Sequence, residues 1–231
     1  MFKSIKATAI AVLTILLFAV TASAQSTTGT VNMSATVSKF VEINSGGAVT
    51  LSGNSGGGVT TDGTANNPLS VVVNLGELGP SNTSNFVTAN VPLKLRSNAA
   101  YSMTMVASVT GSGTTANKVG AADVGFGLGS ISRTGVGVAT GTDTNATAGD
   151  PTLPAHGGVN ATSGRYEFTG TRSSLASFAT STAALSGPSI MNAVPRSNTN
   201  GLTVPAIFAV KPQFFENGTT SITVTFTVAA P

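Results

Sequence analysis

The chain has 231 residues, with 11 Lys and Arg against 8 Asp and Glu, one His, and neither Cys nor Trp. The lack of Cys excludes a disulfide framework, a thiolate zinc site, a thiol nucleophile and a lipid-modified cysteine anchor. Charged residues are 8% of the chain, against about 25% in an ordinary soluble domain, and the basic ones are spread singly, so there is no electrostatic footprint for nucleic acid or an anionic membrane.

The first 24 residues read as a targeting segment. Lys3 and Lys6 precede the apolar run Ala7 to Val20, and Ala22-Ser23-Ala24 supplies small residues for a peptidase. That order is the signature of a secretory signal. At about 14 residues the run is short of the roughly 20 needed to span a bilayer. Cleavage after Ala24 is expected to give a secreted chain, residues 25–231, with no membrane attachment. Two of the 11 basic residues leave with the signal, so nine face eight acidic ones and net charge carries little information about partners.

The clearest periodicity follows at once. Val31, Met33, Ala35, Val37, Val41 and Ile43 fall on odd positions, with Thr30, Asn32, Ser34, Thr36, Ser38 and Glu42 between them. Alternation of period two gives an extended strand one apolar and one polar face, so residues 28–43 are predicted as a strand, with a bulge or strand end at Lys39-Phe40. Val49-Thr50-Leu51 is a short strand candidate, and the glycine-rich stretch 53–58 a turn. Leu69, Val71, Val73 and Leu75 alternate after Pro68. Val87, Val91, Leu93 and Leu95, then Tyr101, Met103, Met105, Ala107 and Val109, form two more alternating sets, which the short link Asn98-Ala99-Ala100 predicts as a hairpin over 91–109.

The middle is less patterned. Phe126 and Leu128 mark one strand. Residues 135–158 read as a long loop with a short strand at Val136–Ala139, and Tyr166 and Phe168 mark another strand. Leu175, Phe178, Thr182 and Leu185 are spaced by three, four and three, which predicts one short helix over 172–185. Pro205 assigns the strand Leu202–Val210 to a sheet edge or a kink. Asn217-Gly218 predicts a hairpin turn before the last strand, where Ile222, Val224, Phe226 and Val228 alternate with Ser and Thr. Nine to eleven short strands with turn signals between them and no repeat indicate one all-β domain, an antiparallel β-sandwich or barrel with at most one short helix.

Little here supports catalysis. His156 stands alone in a glycine-rich loop and is expected to be exposed. No second His sits at ligand spacing. The eight carboxylates, Glu42, Asp62, Glu77, Asp123, Asp143, Asp150, Glu167 and Glu216, are scattered. Asp143, Asn145 and Asp150 offer oxygens of the kind calcium takes but lack a regular loop spacing, so a solvated loop is the preferred reading. Gly125-Phe-Gly127-Leu-Gly129 lacks the Lys-Ser/Thr of a phosphate loop, and its glycines are expected to allow close backbone approach within a sheet. No enzyme activity, metal or cofactor is expected.

The strand freed by cleavage has two readings. It is the first strand of its own sheet, or it completes the sheet of a neighbouring copy by strand addition, a contact that does not close on itself and therefore builds a fibre. With the signal, the segment Thr28 to Ile43, the Val91-Pro-Leu-Lys-Leu95 and Tyr101-Ser-Met-Thr-Met105 pair and the alternating end Thr220 to Val228, the chain resembles bacterial pilus or fimbrial subunits of the immunoglobulin-like sandwich type. Chaperone-assembled members commonly carry a cysteine pair and a Tyr near the C-terminus, which this chain lacks. The resemblance therefore implies a secreted filament, pilus or biofilm-matrix subunit and not a particular assembly machinery. It implies copies of the same chain as partners, with Val31, Met33, Ala35 and Val37 as the side chains that fill a neighbour's groove. The alternative is a carbohydrate-binding or adhesive module, for which Tyr101 and Tyr166 are the only Tyr or Trp platforms.

Overall fold

A computed structural model describes residues 30–53, 56–80, 85–111 and 117–231. The predicted signal lies outside them. The chain divides into two units, residues 1–37 and 38–231. In the first, residues 30–37 have no regular secondary structure and are exposed, Val31 by 84%, Met33 by 92% and Val37 by 82%. Of the strand predicted over 28–43, residues 28 and 29 lie outside the described residues, and from 30 onward it is realised only at its C-terminal end, as β1 (Val41–Ser45). Alternation defines which face would be buried; it does not supply the ladder partner that a strand needs.

The second unit is an antiparallel β-sandwich. One sheet holds β1, β2 (Thr50–Ser52), β5 (Val87–Ser97), β13 (Gly201–Val210), β7 (Val124–Leu128) and β8 (Ser132–Thr134). The other runs β14 (Thr220–Ala229), β6 (Tyr101–Gly111), β12 (Thr182–Gly187), β9 (Thr144–Asn145). Two ribbons lie outside both sheets, β3 (Gly58–Thr61) with β4 (Val72–Asn74), and β10 (Gly158–Val159) with β11 (Tyr166–Glu167). The period-two sets account for the core. Leu93, Leu95, Met103 and Met105 are fully buried between the sheets. Phe126 sits at the centre, its ring 5.2 Å from Phe178 and 5.3 Å from Phe208.

Several local expectations are corrected. β5 and β6 are consecutive but lie in different sheets, so residues 91–109 are not a hairpin; Asn98–Ala100 crosses from one layer to the other, which lets both apolar faces meet in the same core. Asn217-Gly218 likewise leads into β14 after a crossing between sheets. The predicted helix over 172–185 is a 3-10 turn, Leu175–Phe178, followed by β12; the turn still buries Leu175 and Phe178. Val136–Ala139 contributes one isolated bridge, Val138 to Met191. β13 is central rather than an edge. Pro205 faces Pro92 on β5, and on its other side it falls between the residues paired with β8 and those paired with β7, where its missing N–H breaks no registered pair.

The glycines of 125–129 serve close packing, as the sequence implies. A Cβ on Gly127 would collide with the Gly149 carbonyl, and one on Gly125 with the Phe168 ring.

Candidate functional site: an open cleft between the sheets

The sandwich has two poles. At one lie the ends of β5 and β14 and the starts of β1 and β6, since Val41 pairs with Ser97 and Ala229 with Ser102. At the other lie Val87, Gly111 and Thr220, with Val87 paired to Val210 and Thr220 to Gly111. Between β14 on one side and residues 69–79 with the Ala89–Val91 part of β5 on the other, a cleft of about 1080 Å³ opens. Its lining descends from Val91 and Phe226 at mid-height to Val119, Phe215 and Thr220 at the second pole. At the first pole the sheets are drawn together, where the Lys39 ammonium donates to the Pro231 carbonyl.

The sheet edges on this side of the sandwich differ. The β1–β2 edge of the first sheet is bonded to residues 62–68. The Ser45 amide donates to the Asn67 carbonyl at 3.0 Å, Asn66 donates to the Ser45 carbonyl at 2.9 Å, Asn44 bridges to Pro68, and the Val49 amide donates to Asp62 at 2.6 Å. β14 pairs with β6 on one side only and is the edge of its sheet. Its burial alternates without interruption, yet the inward residues Ile222, Val224, Phe226 and Val228 are only half-buried. A partly exposed inward apolar row beside a strand edge with no second ladder among the described residues is a geometry that can accept another strand.

The second unit begins at the pole away from Thr220, where Asn98 fixes its first residues. Asn98 Oδ1 accepts from the Phe40 amide at 2.7 Å, its Nδ2 donates to the Ser38 carbonyl at 2.9 Å, and its own amide donates to the Phe40 carbonyl at 3.2 Å. Two residues on, Glu42 accepts from Arg196 Nε at 2.9 Å and is ion-paired with Arg96 at 3.5 Å. Burial alone would raise its pKa, but the hydrogen bond and charge of Arg196, with Arg96 behind it, outweigh that and hold the carboxyl below its ordinary value.

The residues weighed for chemistry are engaged elsewhere. Arg133 donates twice to Asp143, at 2.7 and 2.8 Å, and Tyr101 Oη donates to the same carboxylate at 2.8 Å. Burial and that carboxylate push the Tyr101 phenol above its ordinary range. Asn145 Oδ1 accepts from Thr147, and Asp150 from Thr152. Among the described residues no three His, Asp or Glu converge as a metal site.

His156 is corrected from exposed to buried, at 1% exposure, with Nδ1 unpartnered; burial lowers its pKa more than Asp150 and the Ala148 carbonyl raise it. Its burial had no sequence signal. Within the loop 149–158 Pro151 and His156 turn inward while Leu153 and Pro154 remain exposed.

Of the side chains singled out as docking residues, Val31, Met33 and Val37 are among the most exposed apolar groups described, and Ala35 is exposed beside them. What the sequence did not reveal is the cleft. Ile222, Val224 and Phe226 were visible as a strand face, but not as the wall of a cleft. Compared with family models, curated proteins and solved structures, the chain finds no match, and its functional reading therefore rests on residues and geometry.

Proposed function

We propose that this protein is a secreted structural subunit that polymerises outside the cell by strand addition, the segment Val31–Val37 of one copy entering the cleft of the next and pairing with β14. The observation that carries the reading is the half-buried inward row of β14 over an open cleft.

Three further relations support it. Val31 to Val37 and Ile222 to Val228 are both seven-residue segments with four apolar residues at alternate positions, so each spans about 20 Å in extended form and they match in length and period. The second unit begins at Ser38 at one pole and the cleft reaches Thr220 at the other, so an arm running from Ser38 of one copy into the cleft of the next would stack copies end to end. A segment entering at the Thr220 end with its N-terminus leading runs opposite to β14, which ascends from Thr220 to Ala229. The added strand is then antiparallel, the arrangement that pairs residues directly across the ladder. Each large side chain moved from water into the cleft contributes about 1.5–3 kcal/mol.

A glycan-binding module is the weaker reading. Tyr101 is 2% exposed, and Lys211 lies 4.6 Å over the Tyr166 ring, so neither tyrosine offers a bare face to a sugar. No catalytic role is proposed.

The test is negative-stain electron microscopy of the chain 25–231 and of the producing cells, beside a variant lacking 25–37. Filaments that disappear with the deletion support strand addition. Dispersed particles from both, on bare cells, would overturn it.

A further inference from the structure

The cleft already has a partial occupant from its own chain. Between Pro68 and Gly76, the residues Leu69, Val71, Val73 and Leu75 turn inward and are half-buried, while Ser70, Val72 and Asn74 are exposed. All four inward residues line the cleft, and Leu69, Val71 and Leu75 pack on the core. This is the same alternate-position apolar spacing as Val31, Met33, Ala35 and Val37.

Yet the segment is not a strand of either sheet. Among the described residues, its ladder is the short one of β4 with β3, which belongs to neither. It therefore covers apolar side chains without satisfying the backbone edge of β14. Breakers bound it: Pro68 at one end, and at the other Gly76, whose φ of +78° is a left-handed conformation suited to glycine. Beyond Gly76, the Leu78 carbonyl accepts from the Gln213 amide at 3.0 Å.

We propose that residues 69–75 are a built-in placeholder. They shield the cleft in the free subunit and are displaced when the arm of a second copy adds to β14. The inference rests on the strand-addition reading above and supplies its regulation. The placeholder brings side chains alone, whereas the arm brings side chains and a continuous ladder. Exchange therefore runs towards the polymer, while the free subunit is protected from indiscriminate edge pairing.

The chain has no cysteine, so single thiols report cleanly. Val71→Cys and Met33→Cys variants of the chain 25–231 are labelled with a maleimide before and after polymerisation. The expected result is that the Val71→Cys thiol labels at least tenfold faster in the polymer and the Met33→Cys thiol at least tenfold slower. A polymer in which Met33→Cys becomes protected while Val71→Cys is unchanged or slower would overturn the placeholder and leave strand addition standing. Absence of any polymer would overturn both. Val71→Asp, which weakens the placeholder while leaving the sequences of arm and β14 unchanged, is expected to shorten the polymerisation lag severalfold; an unchanged or longer lag counts against displacement. Val73→Cys repeats the labelling if Val71→Cys fails to fold.

Discussion

Asn98 and Phe40 are joined by two hydrogen bonds of opposite sense. The Asn98 side chain accepts from the Phe40 amide at 2.7 Å, and the Asn98 amide donates to the Phe40 carbonyl at 3.2 Å. The side chain also holds the Ser38 carbonyl. A residue at the crossing between the two sheets thus fixes Ser38 to Phe40, the first residues of the second unit.

Asn98→Ala removes two of these bonds at an exposed site, where each intramolecular hydrogen bond contributes about 0.5–1.5 kcal/mol. Chemical denaturation of the variant is expected to show a loss of about 1 kcal/mol, the low end for two bonds because water replaces them. Asn98→Asp keeps the acceptor for Phe40 and is expected to fall between variant and parent. Equal stability of all three proteins would mean that the junction is not held here.

Glu42 gives the fold an acid-sensitive tie. Its pKa is lowered in the folded chain, so its contribution is present above the ordinary value of 4.5 and is lost as pH falls through the folded value. Glu42→Gln is expected to cost about 1.5 kcal/mol at neutral pH, the low end for hydrogen bonds to charged groups, because Arg196 is exposed and screened. The variant should also lose part of the parent's destabilisation below pH 4.5. Parallel stability curves for the two proteins between pH 7 and 3 would refute the assignment.

His156 should behave in a related way at higher pH. Burial lowers its pKa below 6.5, so the unfolded chain binds a proton that the folded chain resists. Stability is then full above 6.5 and declines as pH falls towards the folded value. As the only histidine, it gives one set of imidazole resonances, and an NMR titration midpoint at or above 6.5 would contradict the burial.

The strands and their inward faces were largely legible in the sequence, while their partners were not. Period two in Leu93-x-Leu95 and Met103-x-Met105 identifies residues that share a face, and all four are buried. It does not say that Asn98–Ala100 crosses between layers, because a hairpin and a crossing both bring those faces to one core. The spacing of Leu175, Phe178 and Leu185 suggested a helix because a 3-10 turn also repeats every three residues. The strand that follows returns Leu185 to the same interior. The alternation of residues 31–37 was legible in the sequence, but residues 30–37 form no strand. The cleft was not legible, because it depends on β14 being an edge.

That edge makes Phe226 the most informative single position. Its ring is half-buried on the cleft wall, 6.2 Å from Phe126. Phe126→Ala would leave a cavity in the closed core and is expected to cost about 3–5 kcal/mol in monomer and polymer alike. Phe226→Ala removes a side chain that the free subunit leaves partly wet, so the monomer should lose less than half as much. In the polymer the same ring would lie under the added strand, where its removal carries the full cost of a buried aromatic. Denaturant midpoints for unfolding of monomer and for disassembly of polymer separate the two effects. If Phe226→Ala shifts both midpoints equally, the cleft is not where the copies meet.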